Sequence, residues 1–200
     1  MAKDIYNVMQ SRRTVYALSG KSTVSDDRLK EILEHAVTHV PTAFNSQLTR
    51  AVLLLGQKHR RLWEIVKQTL AKMLPAERFA ETEQKIDTCF ASGYGTVLFF
   101  SDTDVTRNLM ERFAAFKDNF PIWEDQAAGM LQYAVWSLLA AEGMGASLQH
   151  YNPLIDDQVK AELGIPASWK LTAQMPFGKA LEQAGEKEFM PLKSRLLIFE

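Results

Sequence analysis

From Glu124 to Gly143 the chain is Ala-rich and apolar almost all the way round a helical wheel, with Met130, Leu131, Ala134, Val135, Leu138 and Leu139 spread over its faces. A helix with one apolar stripe rests on a core, whereas one without a polar face must be surrounded. The segment therefore predicts a central helix about which the other elements are arranged. Gly143 and Gly145 end it, and Ala146 to His150 follow as a short extended piece.

Periodicity supplies those other elements. Ile5, Val8 and Met9 mark a short helix over residues 4 to 11. Ser25 is a good N-cap for a helix from about 26 to 39, with Asp26 and Asp27 suited to its dipole and Leu29, Ile32, Leu33, Ala36 and Val37 on one face. Helical spacing recurs over His59–Met73, and Pro75 starts a further helix carrying Phe79, Ile86 and Phe90. Asp102 or Asp104 caps the next helix, and Asp156–Leu163 forms another, ended by Gly164. Short apolar runs at 51–55, ended by Gly56, and at 96–100 read as buried strands. Trp169–Met175 reads as another strand, residues 179 to 188 as a surface loop, and Leu196–Phe199 as a terminal apolar strand whose edge needs a cover. Trp63 and Phe79 read as packing residues, and Cys89 as a small buried hydrophobe.

With 200 residues and 46% hydrophobic content, the length suits a single domain spanning 1–200. Lys plus Arg number 23 against 24 Asp plus Glu, so net charge gives no reason to expect nucleic acid or an anionic membrane as partner. The lone Cys89 excludes an intramolecular disulfide and a Cys-based zinc cluster, in keeping with a reducing compartment. Met1-Ala2-Lys3-Asp4-Ile5-Tyr6 has no long apolar core of a signal peptide, and no apolar run approaches membrane-spanning length. A cytoplasmic protein is the expectation.

Three polar clusters stand out. Ser11-Arg12-Arg13-Thr14 closes the first helix; two adjacent arginines suit a phosphate, or a solvated basic turn. Pro41-Thr42-Ala43-Phe44-Asn45-Ser46-Gln47 joins a helix to a strand and reads either as a capped turn or as a set of ligand-binding amides. In Lys193-Ser194-Arg195 the two charges are two residues apart, so on an extended strand they share a face and one anion. Phe113, Phe116, Phe120 and Trp123 crowd residues 107 to 123, as core packing or as walls for a flat ligand. Other motifs fail on spacing. Val15 stands where a phosphate loop ending in Gly20-Lys21-Ser22 needs glycine, and Ala36 stands where a zinc-protease helix bearing His35 and His39 needs Glu. Gly143 to Ser147 lacks the spacing of a nucleophile elbow.

Arg12-Arg13-Thr14-Val15-Tyr16-Ala17-Leu18, Phe44-Asn45-Ser46-Gln47, Leu148-Gln149-His150-Tyr151-Asn152-Pro153-Leu154-Ile155 and the Lys193-Ser194-Arg195 cluster, in that order, resemble the nitroreductase family of FMN enzymes. The likeness is strongest to its small bacterial and fungal branch and covers nearly the whole chain. The resemblance implies an α+β fold, with a central mixed, largely antiparallel sheet flanked by helices, and a homodimer that shares the central helix between subunits and is made by C-terminal strand exchange, with two flavin sites at the interface. It implies phosphate contacts from Arg12, Lys193 and Arg195, with Arg13 and Thr14 beside them. Asn45 and Gln47 are expected on the ribityl chain or the ring's polar edge, and Leu148 and Gln149 near the reactive centre. Phe44, Phe113, Phe116 and Tyr151 are expected to wall the pocket of a small aromatic acceptor. Many members carry a basic residue where this chain has Tyr16, which departs from the usual ring-edge contact.

The implied activity is a ping-pong oxidoreductase in which NADH or NADPH reduces FMN and a nitroaromatic or quinone-like acceptor reoxidises it. The flavin carries the chemistry, so no nucleophile or metal is required, and His150 is a possible acid. The alternative is a flavin- or tetrapyrrole-binding protein for storage, sensing or degradation, without steady turnover.

Overall fold

The structure is a computed structural model that describes residues 4–200. Met1, Ala2 and Lys3 of the N-terminal stretch lie outside the described residues. The chain forms α1 (Ile5–Ser11), β1 (Leu18–Ser19), α2 (Asp26–His39), β2 (Thr49–Leu55), α3 (Gly56–Ala71), α4 (Ala76–Ile86), β3 (Gly95–Asp102), α5 (Thr103–Arg112), α6 (Phe120–Ala141), β4 (Met144–Ala146), α7 (Asp156–Leu163) and β5 (Trp169–Ala180). Among the described residues the sheet runs β1-β5-β3-β2, with β4 also on β5. Its strand pairings are antiparallel, and an isolated bridge between Thr14 and Ala146 adds a parallel contact. This is an α+β fold with a largely antiparallel mixed sheet between helices.

β3 sits between β2 and β5, and its side chains alternate between two cores. Leu98 and Phe100 join Leu62, Trp63, Ile86, Phe90 and Val159 on one face. Val97 and Phe99 join Leu29, Leu131, Val135 and Leu139 on the other. A bulge at Phe99/Phe100 shifts the pairing on β5 from Ala173 to Leu171. Those two residues, which simple alternation would put on one face, therefore enter opposite cores. Ser25 caps α2, accepting from the Arg28 N–H at 3.2 Å, and Asp102 caps α5. Gly56 takes φ +55°, a left-handed geometry suited to glycine, where β2 turns directly into α3.

α6 buries Phe120, Ala127, Leu131, Val135 and Leu139 and leaves Ile122, Met130 and Tyr133 exposed on its other side, the side that a partner subunit is expected to share. Several expectations need correction. β5 continues through Pro176 to Ala180 instead of stopping at Met175, because β3 leaves off at Gly95 opposite Phe177 and the far end pairs with β1 and β4. Lys193 lies in a 3-10 turn at Leu192–Ser194 with Arg195 just after it; the shared strand face expected of them is not formed. Leu196 to Phe199 make no strand pairing among the described residues and are exposed. Cys89 is half-buried in a π-helical turn, Asp87–Ala91, that extends α4. Among the described residues no helix is long and apolar enough to cross a membrane.

Candidate functional site

The turn between α2 and β2 holds three non-glycine residues with left-handed backbone: Phe44 at φ 58°, Asn45 at 48° and Gln47 at 49°. Such residues cost on the order of 1–3 kcal/mol each and persist only where the surroundings hold them. Here the Asn45 N–H donates to the Thr42 carbonyl at 3.0 Å and the Gln47 N–H to Thr42 Oγ1 at 2.8 Å. Arg50 Nη1 donates to the Gln47 carbonyl. The Phe44 ring packs against Phe113, Phe120, Trp123 and Phe116, with centroids 4.9, 5.5, 5.9 and 6.3 Å away. The result is a fixed turn whose Asn45 and Gln47 side chains are exposed, beside an aromatic wall that includes half-exposed Phe116.

The arginine cluster is held from the other end of α6. The Arg12 guanidinium lies over Trp136 at 4.5 Å and near Tyr133 at 5.7 Å, and its Nε is buried without a hydrogen-bond partner among the described residues. Arg13 Nη1 donates to the Gly185 carbonyl at 2.6 Å. Thr14 bridges to Ala146, and the Val15 N–H donates to the Ala146 carbonyl at 2.9 Å, which sets the first motif beside the segment leading to Leu148 and Gln149. A cavity of about 490 Å3 opens there, lined by Arg13, Thr14, Tyr16, Cys89, Glu182 and Gly185 among others.

Gln174, fully buried on β5, fixes the 149–152 stretch. Its backbone exchanges hydrogen bonds of 2.7 and 2.9 Å with Gln149. Its Oε1 accepts from the Tyr151 N–H at 2.7 Å, and its Nε2 donates to Asn152 Oδ1 at 3.1 Å. Gln149 Nε2 in turn donates to Ser147 Oγ at 3.0 Å, while His150 is exposed. Tyr151 does not join the Phe44 group: it packs against Trp63 and Phe90 at 6.0 and 6.3 Å. Burial pushes its phenol up to about 12, with Cys89 and Tyr16 adding to the effect, so it stays protonated across the physiological range.

Within one copy the candidate residues fall into two sets. Arg12, Arg13 and Thr14 meet the chain at Ala146, from which Leu148 and Gln149 lead on along β5; Phe44, Asn45, Gln47, Phe113 and Phe116 lie together. Phe44 reaches α6 at Trp123 and Arg12 reaches it at Trp136, a separation of roughly 20 Å at 1.5 Å per residue. Lys193 and Arg195 are exposed on the segment after β5. Residues that the motifs did not flag, Arg50, Trp136 and Gln174, do much of the holding. Their signal is a buried or half-buried polar group next to a motif, which appears only once the chain is folded. The donor set suits FMN: a buried, unpaired guanidinium nitrogen and neighbouring cations for a phosphate, and exposed amides for polar ring and ribityl atoms.

A family model described as the nitroreductase family matches residues 9–179. The nitroreductase FRM2 of Saccharomyces cerevisiae is 35% identical over 188 residues, covering 92% of each chain. The nitroreductase CinD from Lactococcus lactis in complex with nicotinic acid superposes with a TM-score of 0.91 at 41% identity, over 98% of this chain and 100% of CinD; CinD is also solved with chloramphenicol and with 4-nitrophenol. A structure from Desulfovibrio desulfuricans in complex with FMN shares the fold, with a TM-score of 0.70 at 19% identity, over 100% of this chain and 99% of that one.

Proposed function

Because the chain belongs to the nitroreductase family and is by that membership an oxidoreductase, we propose that it is an FMN-dependent NAD(P)H oxidoreductase that reduces nitroaromatic or quinone-like acceptors by a ping-pong mechanism. The observation that carries the flavin reading is Arg12, whose buried Nε has no hydrogen-bond partner among the described residues while Trp136 fixes its guanidinium. A phosphate monoester brings nearly two negative charges, and Arg12, Lys193 and Arg195 supply the neutralising cations. Arg13 adds a charge at the cavity wall, although one of its N–H groups is already given to Gly185. FMN, when bound, supplies the two-electron chemistry between the nicotinamide and the acceptor.

The chain's own residues orient and enclose. Thr14 donates at the ribityl or phosphate end, while Asn45 and Gln47 hydrogen-bond polar ribityl and ring atoms. Leu148 and Gln149, held by Gln174, line the ring near its reactive centre. Phe44, Phe113 and Phe116 offer apolar faces to a flat acceptor and exclude water from it. The ligands solved with CinD, two of them nitroaromatic and one a nicotinamide-like acid, suit that cleft. The single free thiol Cys89 fits a cytoplasmic enzyme.

We propose further that the working unit is a homodimer. The two residue sets sit towards opposite ends of α6, and a twofold axis beside an antiparallel pair of α6 helices would bring one copy's Asn45 turn to the other copy's Arg12. The exposed Met130 and Tyr133, and the unpaired Leu196–Phe199 segment, provide apolar surface for that contact and for strand exchange.

The test is a visible spectrum of the purified protein before and after anaerobic NADH or NADPH. Flavin bands that bleach, and recover on adding 4-nitrophenol or a quinone, are expected. A flavin that does not bleach would favour storage or sensing, and failure to take up FMN would overturn the reading.

A further inference from the structure

We infer that Arg50 is a positioning residue that couples the Asn45–Gln47 turn to the aromatic wall, so that cofactor grip and acceptor fit are set together; the inference rests on the flavin reading above. Arg50 belongs to none of the motifs and is the second residue of β2, three residues beyond Gln47. Nη1 donates to the Gln47 carbonyl and, at 3.1 Å, to the Thr49 carbonyl. Nη2 donates to Asp102 Oδ2 at 3.0 Å, and the guanidinium lies 5.5 Å from the Trp169 ring centre. Both charged groups are largely shielded, with side-chain exposures of 27% and 15%, so the pair is screened far less than a surface ion pair.

Asp102 carries the connection onward. Its other oxygen, Oδ1, accepts from the Asp104 N–H at 3.3 Å and caps α5. α5 ends at Arg112, and the next residue, Phe113, returns to Phe44 at 4.9 Å. The circuit closes: the Gln47 carbonyl, Arg50, Asp102, α5, Phe113, Phe44 and back into the turn. A planar guanidinium can hold two carbonyls and a carboxylate at once, whereas an ammonium is a point charge that cannot reproduce the fork. A left-handed Gln47 released from Arg50 would relax, moving Asn45 on the flavin side and Phe44 on the acceptor side by one event.

The experiment compares wild type, Arg50→Gln, Arg50→Lys and Asp102→Asn in the full-length protein. Asparagine is as good an N-cap as aspartate, so Asp102→Asn keeps α5 capped while weakening the hold on Arg50, and it carries the test should Arg50→Gln fail to fold. The measurements are the FMN dissociation constant by fluorescence titration, KM and kcat for 4-nitrophenol at saturating FMN, and the urea midpoint. Arg50→Gln is expected to weaken FMN binding about tenfold, the order of one charge-assisted hydrogen bond. It should also raise the acceptor KM severalfold with kcat little changed. Asp102→Asn should give the same pattern more weakly, and Arg50→Lys should restore less than half of the loss. A lowered urea midpoint with FMN affinity and acceptor KM both at wild-type values would make Arg50 a purely structural brace and overturn the inference. Wild-type protein that takes up no FMN would instead remove the flavin reading itself.

Discussion

His59 is 2% exposed and reaches Thr96 Oγ1 from Nδ1 at 2.9 Å and the Ala91 carbonyl from Nε2 at 3.1 Å. A carbonyl only accepts, so Nε2 carries the proton; Thr96 then donates to Nδ1 while its oxygen accepts from Trp63 Nε1 at 3.0 Å. Each polar atom is satisfied with the imidazole neutral, and burial holds its pKa below the ordinary value. Between the folded value and the unfolded one of about 6.5, the unfolded chain binds the proton and the native state does not. This stability is complete above the unfolded value and is lost as the pH falls from there towards the depressed folded value. Urea midpoints should therefore decline on acidification across that window. His59→Gln, which cannot titrate, should flatten the decline while lowering the midpoint at high pH; an unaltered slope would assign it to other groups. At Arg12 the consequence is binding: Arg12→Ala should weaken FMN by about ten- to a hundredfold through the lost charge-assisted contacts, read by fluorescence titration. Arg12→Lys should recover little of it, because the guanidinium is also stacked on Trp136; near-wild-type affinity in both variants would move the phosphate elsewhere. Arg12 and Asn45 were legible from the sequence as candidates because they belong to compact motifs. Arg50, His59 and Gln174 were not, because each takes its meaning from a partner far along the chain: Asp102, Thr96 and Asn152.

Elements with one clear period were readable nearly to the residue, and those whose limits depend on neighbours were not. α2 runs over Asp26–His39 and α7 over Asp156–Leu163, because the Ser25 cap and an apolar stripe mark the first, and Gly164, left-handed at φ 66°, stops the second. β5 exceeds the sequence reading because its far end is supported by β1 and β4, which local pattern cannot reveal. Its bulge is equally invisible: Thr172 Oγ1 donates to the Phe99 carbonyl at 3.1 Å and accepts from Gln132 Nε2 at 3.3 Å. The far end carries the sharper prediction. A Cβ on Gly178 would stand 2.3 Å from the Ser19 carbonyl and 3.1 Å from the Tyr94 nitrogen, both backbone atoms. Gly178→Ala must therefore separate β1 from β5, at a cost on the order of 1–3 kcal/mol, as for overpacking in a core. The urea midpoint measures it, and a variant as stable as wild type would mean that β1 is not held there.

At the scale of the whole molecule, one copy is an incomplete object in the proposed reading. α6 was legible as the organising helix from its lack of a polar face, but what would cover its second side lies outside a single chain. Met130 is 41% exposed on that side, and so discriminates between a solvent-facing helix and an interface. On a free surface Met130→Lys would change stability by no more than about 0.5 kcal/mol. Buried between two copies, the ammonium would have no carboxylate to meet from Met130, Gly129 or Tyr133, and leaving a charge unpaired there costs several kcal/mol. The expected outcome is a shift from dimer to monomer in sedimentation. FMN should be lost with the partner, because the Asn45 turn and Arg12 stand roughly 20 Å apart along one helix and only a second copy would join them. A variant that remains dimeric and flavin-loaded would place the interface elsewhere. A variant that becomes monomeric yet still binds FMN at wild-type affinity would show that one chain suffices for the cofactor, and would confine the partner's role to covering the apolar face and the Leu196–Phe199 segment.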